Sequence, residues 1–218
     1  MTADRTLTER LEACYTGVIH DVMRAMGLAD FTLPPDLRPI LPERAMAGPA
    51  FTILGKVDPS ADPHETLLAW TGLLSKAPPG AIWVSQPNDD RVAHMGELSA
   101  ETLKNKGVRG AIVDGFARDV NFLIEIGFQT WCRGFTPRDI VGIWLPEATD
   151  VEVTIGDVVI APGDYLVGDR DGLIRIPRAL AEEVAARAEA AIATENLVRK
   201  AILSGVDPQQ AYLTYGKF

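Results

Sequence analysis

Apolar residues follow two different spacings along the chain, and the two spacings alternate. Steps of three and four residues predict helices, whereas short continuous or alternating apolar runs predict strands. The predicted helices span residues 8–26, 65–76, 98–106, 120–126 and 179–203. The predicted strands span residues 45–55, 81–85, 110–113, 128–132 and 151–155, and a β-meander is predicted over residues 156–177. Strands that alternate with helices in this way favour an α/β fold.

The chain is organised around residues 94–119, which read as a polar turn, a helix, a short strand and a second polar turn. The pattern places Leu98 and Leu103 on one face of the helix and predicts that Gly107 ends it. Residues 110–113 are apolar throughout, as expected of a strand that is buried on both faces.

Two charged residues, Arg118 and Asp119, follow soon after this buried strand. In α/β sheets, residues just past the end of a buried strand stand at the rim where ligands bind. An Asp-Gly turn followed by an Arg-Asp pair is also a common surface arrangement. The pair alone therefore leaves a functional site and a structural ion pair both open.

The start of the central helix favours the functional interpretation. Gly96 and Glu97 open the helix, so the backbone N–H groups of Leu98 and Ser99 have no acceptor within the helix and favour an anion. This unit therefore offers the two amides as an anion cradle and Arg118 as a fixed cation. Glu97 and Asp119 add two carboxylates. Oxygen ligands of this kind suit Mg²⁺ or Mn²⁺. Such a set of groups matches the needs of an α-keto acid.

Composition is that of an ordinary globular protein. The chain has 218 residues, of which 47% are apolar and 23% charged, so we predict one domain over residues 1–218. Residues 179–218 form a C-terminal helix and tail within it. The aromatic residues of that tail, Tyr212, Tyr215 and Phe218, predict contact with a neighbouring subunit.

Charge and cysteine usage exclude several classes of function. The net charge of −9 disfavours nucleic-acid binding. No apolar run reaches the length of a membrane span, and no leader pattern is present, so a cytoplasmic protein without a membrane partner is expected. Cys14 and Cys132 lack metal or redox spacing, and the three histidines lack the spacing of a zinc site.

Four ordered motifs, which begin at Gly48, Gly96, Gly107 and Ala161, resemble the RraA-like family. They read Gly-Pro-Ala-Phe-Thr, Gly-Glu-Leu-Ser-Ala, Gly-Val-Arg-Gly-Ala-Ile-Val-Asp-Gly-Phe-Ala-Arg-Asp-Val and Ala-Pro-Gly-Asp-Tyr-Leu-Val-Gly-Asp-Arg-Asp-Gly-Leu-Ile-Arg-Ile-Pro. The family includes class II 4-hydroxy-4-methyl-2-oxoglutarate and 4-carboxy-4-hydroxy-2-oxoadipate aldolases, and a regulator of ribonuclease E activity. The resemblance implies a β/β/α swivelling-type domain, assembled as a homotrimer or homohexamer with active sites between subunits.

The resemblance also implies roles for single residues. Asp119 matches the aspartate that binds a divalent metal, Mg²⁺ or Mn²⁺, and Arg118 matches the arginine that binds the keto-acid oxygen and stabilises the enolate. Glu195, from the C-terminal helix of a neighbouring subunit, is the expected match for a glutamate that approaches the metal through water.

The Gly-Glu-Leu-Ser turn matches the part of the family site that holds the substrate. Gly96 and Glu97 form the turn, and Glu97 is expected to hold the metal-bound waters and the proton-accepting water. It is one methylene longer than the aspartate of several aldolases. The amides of Leu98 and Ser99 are expected to hold the pyruvate carboxylate.

The activity implied is metal-dependent retro-aldol cleavage of a 4-hydroxy-2-oxo acid to pyruvate and a second keto acid, with oxaloacetate decarboxylation as a side activity. Lys104 and Lys106 are predicted on the solvated helix face, which argues against a Schiff-base route. The alternative is a non-catalytic regulator of a ribonuclease. Regulators of this family typically lack the metal-binding aspartate, so Asp119 favours the enzyme. Some members carry a methyltransferase label, but this sequence has no glycine-rich cofactor loop that would support that activity.

Substrate specificity is expected to come from the loop over residues 86–94, from Phe116 and Phe135, and from a neighbouring subunit. Within that loop Asp89, Asp90, Arg91 and His94 are candidates to reach the pocket. Each is also an ordinary loop residue when considered alone, and His20, on the first predicted helix, is expected at the surface.

Overall fold

The computed structural model describes residues 5–217 of the chain. Its α-helices are α1 Leu7–Glu12, α2 Thr16–Ala25, α3 Pro63–Lys76, α4 Glu97–Asn105, α5 Val120–Glu125, α6 Ala181–Leu203 and α7 Pro208–Tyr215. Its strands are β1 Arg38–Pro39, β2 Met46–Val57, β3 Ile82–Gln86, β4 Gly110–Val113, β5 Phe116–Ala117, β6 Thr130–Cys132, β7 Gly134–Phe135, β8 Trp144–Thr149, β9 Val153–Ile155, β10 Val158–Ile160, β11 Tyr165–Gly168 and β12 Leu173–Ile176.

The main sheet is built outward from the long strand β2. Its strand order is β1-β6-β4-β3-β2-β11-β12, and β8 also pairs with β2. Strands β2, β3, β4 and β6 are parallel, whereas β11 and β8 pair with β2 in antiparallel fashion. The parallel strands are largely buried on both faces, as β4 illustrates with four buried residues. The predicted mixed α/β fold with a C-terminal helix is confirmed.

The first predicted helix, over residues 8–26, is wrong as a single element. Helix α1 ends at Glu12, and α2 begins afresh at Thr16. The carboxylate of Asp169, in the turn between β11 and β12, accepts hydrogen bonds from the Thr16 backbone N–H at 2.7 Å and from its hydroxyl at 2.8 Å. This cap comes from a residue 153 positions away, so the local apolar spacing did not reveal it.

The predicted meander over residues 156–177 is also wrong in part. Strand β10 pairs with β9 in a separate two-stranded sheet, whereas β11 and β12 form a hairpin that joins β2. The buried carboxylate of Asp164 fixes the turn between the two hairpins. It accepts hydrogen bonds from the N–H of Ala161 and Arg178 and from Nε of Arg175.

Strand β8 was not predicted. It contains Pro146, which has no N–H for the sheet, and it pairs with one edge of β2 through an irregular register. A proline within a short run of mixed character is typical of an edge strand and weakens the strand signal.

The central unit forms largely as predicted. Helix α4 spans Glu97–Asn105, and Gly107 follows its end with a φ of 80°. A positive φ at this position favours glycine and explains the stop. The prediction that Leu98 shares the buried face with Leu103 is wrong, because Leu103 is fully buried and Leu98 is 76% exposed. Leu98 lies in the first turn, beside a surface cavity.

Helix α6 packs against α1 and α2, α7 packs against α6, and both leave part of their surface exposed. Arg10 of α1 binds Glu182 and Glu189 of α6, each at 2.8 Å. Tyr212 and Tyr215 of α7 are exposed, as predicted, and Phe218 lies outside the described residues. Their contact with a neighbouring subunit stays a prediction, as does a single domain over residues 1–218. No helix within residues 5–217 is long and apolar enough to cross a membrane.

Candidate active site

Two loops meet at the carboxyl end of the parallel strands. The first site loop, residues 87–96, connects β3 to α4, and the second site loop, residues 114–119, follows β4 and contains β5. The loops are joined by backbone hydrogen bonds from the Arg118 N–H to the Met95 carbonyl and from the His94 N–H to the Phe116 carbonyl, both 2.8 Å long. The sheet therefore fixes both loops at the rim where α/β proteins bind ligands.

Asp119 has an unusual backbone conformation. Its φ of 55° and ψ of 37° lie in the left-handed region, which a non-glycine residue seldom adopts. Although Asp119 precedes α5, its side chain does not cap that helix. Its Oδ2 instead accepts a hydrogen bond of 3.1 Å from the backbone N–H of Glu97, at the start of α4. The strained backbone thus directs the carboxylate across to the other loop.

Gly96 makes room for that carboxylate. A Cβ at position 96 would lie 2.8 Å from Oδ2 of Asp119 and 3.2 Å from Nε of Arg118. The backbone of Gly96 is extended, with a φ of −152°, so any residue can adopt it. Space, rather than conformation, is what requires glycine here.

We therefore expect Gly96→Ala to displace the Asp119 carboxylate from the start of α4. The lost hydrogen bond should lower the free energy of unfolding by about 1 kcal/mol. Any reaction at this site should slow by roughly 10–100-fold, since small misplacements of reacting groups are costly. Urea unfolding and steady-state kinetics measure the two effects.

Gly72→Ala is the matched control, because Gly72 is an exposed position of α3 with open space around it. It should stabilise the fold by about 0.5–1 kcal/mol through helix propensity and leave activity unchanged. If Gly96→Ala were equally harmless, Gly96 would have no special role in the site.

The first turn of α4 presents free amides. Gly96 provides no side-chain cap, and the N–H groups of Leu98 and Ser99 have no acceptor within the described residues. The Ser99 hydroxyl accepts a hydrogen bond of 2.9 Å from Nε1 of Trp70 on α3, which leaves its proton free to donate. The turn therefore combines amide donors, one hydroxyl and the positive end of a helix dipole.

Arg118 lies loosely between two carboxylates. Its Nε is 3.5 Å from Oδ2 of Asp119, and its Nη1 is 3.5 Å from Oδ2 of Asp139. Both contacts are long for charge-assisted hydrogen bonds. The Arg118 side chain is 38% exposed, and its guanidinium keeps donors available for a ligand.

These groups line one cavity of about 370 Å³, a size typical of small-molecule sites. Its charged lining residues are Glu97, Arg118, Asp119 and Asp139. The larger apolar lining residues are Leu67, Trp70, Leu74, Met95, Leu98, Ile140 and Val141. A second recess, lined by Phe135 and its neighbours, opens beside the same arginine and aspartate.

The carboxylates fit a divalent ion that keeps most of its water. Asp119 uses Oδ2 for Glu97 and Arg118, and its Oδ1 has no hydrogen-bond partner among the described residues. Within residues 5–217 there is no cluster of three or more His, Cys, Asp or Glu residues with metal-binding geometry. Mg²⁺ commonly binds through one or two carboxylates, with water and substrate as its other ligands, so this donor set suits it.

The predicted residues Gly96, Glu97, Leu98, Ser99, Arg118 and Asp119 all line this cavity. Asp139 and the apolar wall formed by α3 were not predicted. Arg138 and Asp139 form a second Arg-Asp pair, which follows β7 much as Arg118 and Asp119 follow β4. This similarity was the available sequence signal for Asp139. No local pattern distinguishes Leu67, which faces the cavity, from its neighbour Leu68.

The candidates in the first site loop have a structural role instead. Asp89 and His94 are buried and do not line the cavity. Burial alone would raise the pKa of Asp89, but the N–H groups of Arg91 and Val92 and the His94 ring outweigh it and lower that pKa. Burial lowers the pKa of His94 despite the adjacent carboxylate, so the ring packs neutral against Trp144.

Glu195 lies outside the cavity of its own chain. Its carboxylate accepts a hydrogen bond from the Tyr15 hydroxyl and pairs with Nζ of Lys217 at 3.1 Å. The prediction for Glu195 concerns the site of a neighbouring subunit, and it stays a prediction. His20 borders a separate surface recess beside Phe31.

Other potential nucleophiles are held elsewhere. Lys104 donates to the carbonyl of Ile126, and Lys106 donates to that of Ser75, so neither amine reaches the cavity. Burial raises the pKa of the Cys132 thiol to about 11, which keeps it protonated at neutral pH.

Several known proteins resemble this chain. A family model for RraA-like proteins, described as Aldolase/RraA, matches residues 16–175. A protein of Halalkalibacterium halodurans named "Putative 4-hydroxy-4-methyl-2-oxoglutarate aldolase" is 27% identical over 187 residues, which cover 86% of this chain and 85% of the relative.

Two solved structures have the same fold. An uncharacterized protein from Pseudomonas syringae pv. tomato superposes with a TM-score of 0.83 and 26% identity, over 94% of this chain and 96% of the other. Streptomyces coelicolor RraAS2, described as an unusual member of the RNase ES inhibitor RraA protein family, gives a TM-score of 0.79 and 26% identity, over 91% and 98% of the two chains.

Proposed function

The chain belongs to the RraA-like family, and we propose that it is a metal-dependent lyase that cleaves a 4-hydroxy-2-oxo acid to pyruvate and a second carbonyl compound. One observation supports this above all. The Asp119 carboxylate, the Arg118 guanidinium and the free amides of α4 line a single cavity of suitable size. The same enolate chemistry makes oxaloacetate decarboxylation an expected side activity.

Asp119, through its unpaired Oδ1, would hold Mg²⁺ or Mn²⁺, and Glu97, which lines the same cavity, would bind the ion's water. When bound, such an ion supplies a Lewis acid for the keto oxygen of the substrate. The amides of Leu98 and Ser99 would bind the carboxylate of the pyruvate unit, which fixes the orientation of the substrate before any bond breaks.

Arg118 would stabilise the negative charge that develops on the enolate oxygen. Its guanidinium is permanently charged and has donors to spare, because its contacts with Asp119 and Asp139 are both 3.5 Å long. A donor placed in this way contributes about 3–4 kcal/mol to the stability of a transition state.

Glu97 is the residue best placed to accept the proton of the C4 hydroxyl, directly or through water. It lines the cavity at the first position of α4, and its backbone is fixed by Asp119. As that proton leaves, the C3–C4 bond breaks, C4 becomes a carbonyl carbon, and C3 of pyruvate takes up a proton.

Pyruvate release tests the proposal. Oxaloacetate and 4-hydroxy-4-methyl-2-oxoglutarate are each supplied with Mg²⁺ or Mn²⁺, and then again with EDTA. We expect pyruvate from at least one of them, loss of turnover with EDTA, and recovery when excess metal is added. Turnover that persists in EDTA would refute a metal-dependent reaction.

We also propose a homotrimer or homohexamer in which α6 of one subunit adjoins the cavity of the next. Leu197 and Leu203 of α6 and Leu213 of α7 are exposed apolar residues, as is Leu98 at the cavity. Burial of such surface would favour association. Glu195 would then approach the neighbouring Asp119.

A non-catalytic regulator is the second candidate, because RraAS2 is described as a member of an RNase inhibitor family. This function predicts a stable complex with a ribonuclease that is insensitive to EDTA. Asp119→Asn should leave such a complex intact, whereas it should abolish the lyase reaction.

A further inference from the structure

We propose that the substrate has an uncharged, apolar substituent at C4, so that the second product is an aliphatic or aromatic aldehyde or ketone rather than a second keto acid. This inference rests on the proposed lyase function and goes on to name the substrate class. It departs from the keto-acid product that the family resemblance implied, and it depends on the part of the cavity beyond the charged groups.

An apolar wall adjoins the anion cradle directly. Leu67, Trp70 and Leu74 of α3 line the same cavity as the first turn of α4, and Nε1 of Trp70 donates to the Ser99 hydroxyl at 2.9 Å. A pyruvate unit held at the amides of α4 would therefore have its remaining atoms beside α3. Ile140 and Val141 continue the apolar surface.

The charge of the cavity disfavours a second carboxylate. Arg118 is the single cationic residue among the lining residues, all of which lie in the described part of the chain, and three carboxylates face it there. A divalent ion would balance the excess of two negative charges. The helix start can then accept one substrate carboxylate. A second would find no cation among this chain's lining residues and would lie against leucine and tryptophan, which is costly.

The wall is rigid enough to discriminate between substituents. Trp70 is 9% exposed and packs edge-on against Trp83 and Trp144, with ring centroids 5.7 and 5.8 Å away. Leu74 is buried in the same core. Leu67 is different, since it is 47% exposed at the mouth of the cavity and can be replaced without disturbing the core.

The test compares two substrates whose C4 substituents have the same number of heavy atoms. In 4-hydroxy-5-methyl-2-oxohexanoate the substituent is isopropyl, and in 4-hydroxy-2-oxoglutarate it is a carboxylate. Cleavage yields pyruvate with 2-methylpropanal or with glyoxylate. We expect kcat/KM to be at least tenfold higher for the isopropyl compound. A preference for the carboxylate compound would overturn the inference.

Leu67→Arg adds a cation to the wall, and Leu68→Arg is its matched control. Leu68 is the next residue on α3 and is 63% exposed, but it does not line the cavity. Leu67→Arg should shift the ratio of the two kcat/KM values at least tenfold toward the carboxylate compound, while Leu68→Arg leaves it unchanged. Equal shifts in both variants would contradict the assignment of the wall.

Exchange of the pyruvate methyl hydrogens for deuterium separates failure of this inference from failure of the proposed function. That exchange needs only the pyruvate half of the site. Metal-dependent exchange with no preference between the substrates would refute the apolar substituent and leave the lyase standing. Absence of both exchange and cleavage would refute the lyase, and the inference with it.

Discussion

Asp119→Asn should abolish the response to Mg²⁺ and Mn²⁺ and reduce pyruvate formation by at least about 100-fold, since a catalytic metal supplies several kcal/mol. Asparagine tolerates the left-handed backbone of this position. Its side-chain oxygen can still accept the hydrogen bond from the Glu97 N–H. The substitution therefore removes charge while it preserves the shape of the loop.

Two measurements make this result specific. Titration with Mn²⁺ should detect weaker binding to the variant, and urea unfolding should give a midpoint close to that of the wild type. Asp139→Asn is the control, because Asp139 lines the same cavity and faces the same arginine at 3.5 Å. It should keep its metal dependence. Undiminished Mn²⁺-dependent turnover in Asp119→Asn would show that Asp119 does not bind the ion.

Arg118→Ala should lower kcat by about 10²–10³-fold, the usual loss when one donor to a developing oxyanion is removed. In contrast to Asp119→Asn, it should retain Mn²⁺ binding, because the guanidinium is not a ligand. Arg118→Lys should give an intermediate rate, since an ammonium cannot reproduce the two-sided geometry that spans Asp119 and Asp139.

Arg138→Ala is the matched control for Arg118. Arg138 is an exposed arginine of the adjacent loop, its side chain does not line the cavity, and its backbone carbonyl accepts the Ala93 N–H whatever its side chain. We expect its kinetics to match the wild type. Equal losses in the two variants would indicate a general effect of surface charge and argue against a role for Arg118 at the enolate.

The sequence predicted those features that depend on neighbours along the chain. The buried strand 110–113, the glycine stop at Gly107 and the charged pair after the strand all follow from local patterns. Strand ends and helix starts meet at one rim of a parallel sheet. For this reason the amides of α4, Arg118 and Asp119 all line the same cavity.

Features that depend on distant contacts escaped prediction. The break before Thr16 needs the carboxylate of Asp169, and the exposure of Leu98 needs the open space beside α3. His94 is polar and lies in a loop, yet the fold buries it against Asp89 and Trp144. Periodicity records which residues are apolar, but it does not record which surface each of them meets.

The hydrogen bonds that join the two site loops have a consequence for protein engineering and for divergence within the fold. Each loop donates to and accepts from the other, through Arg118 to Met95 and His94 to Phe116. An insertion or graft in either loop alone would leave its partner's amides unpaired and turn the Asp119 carboxylate away from α4. The two loops therefore form one transferable cassette, and a new activity on this scaffold is best sought by exchanging both together.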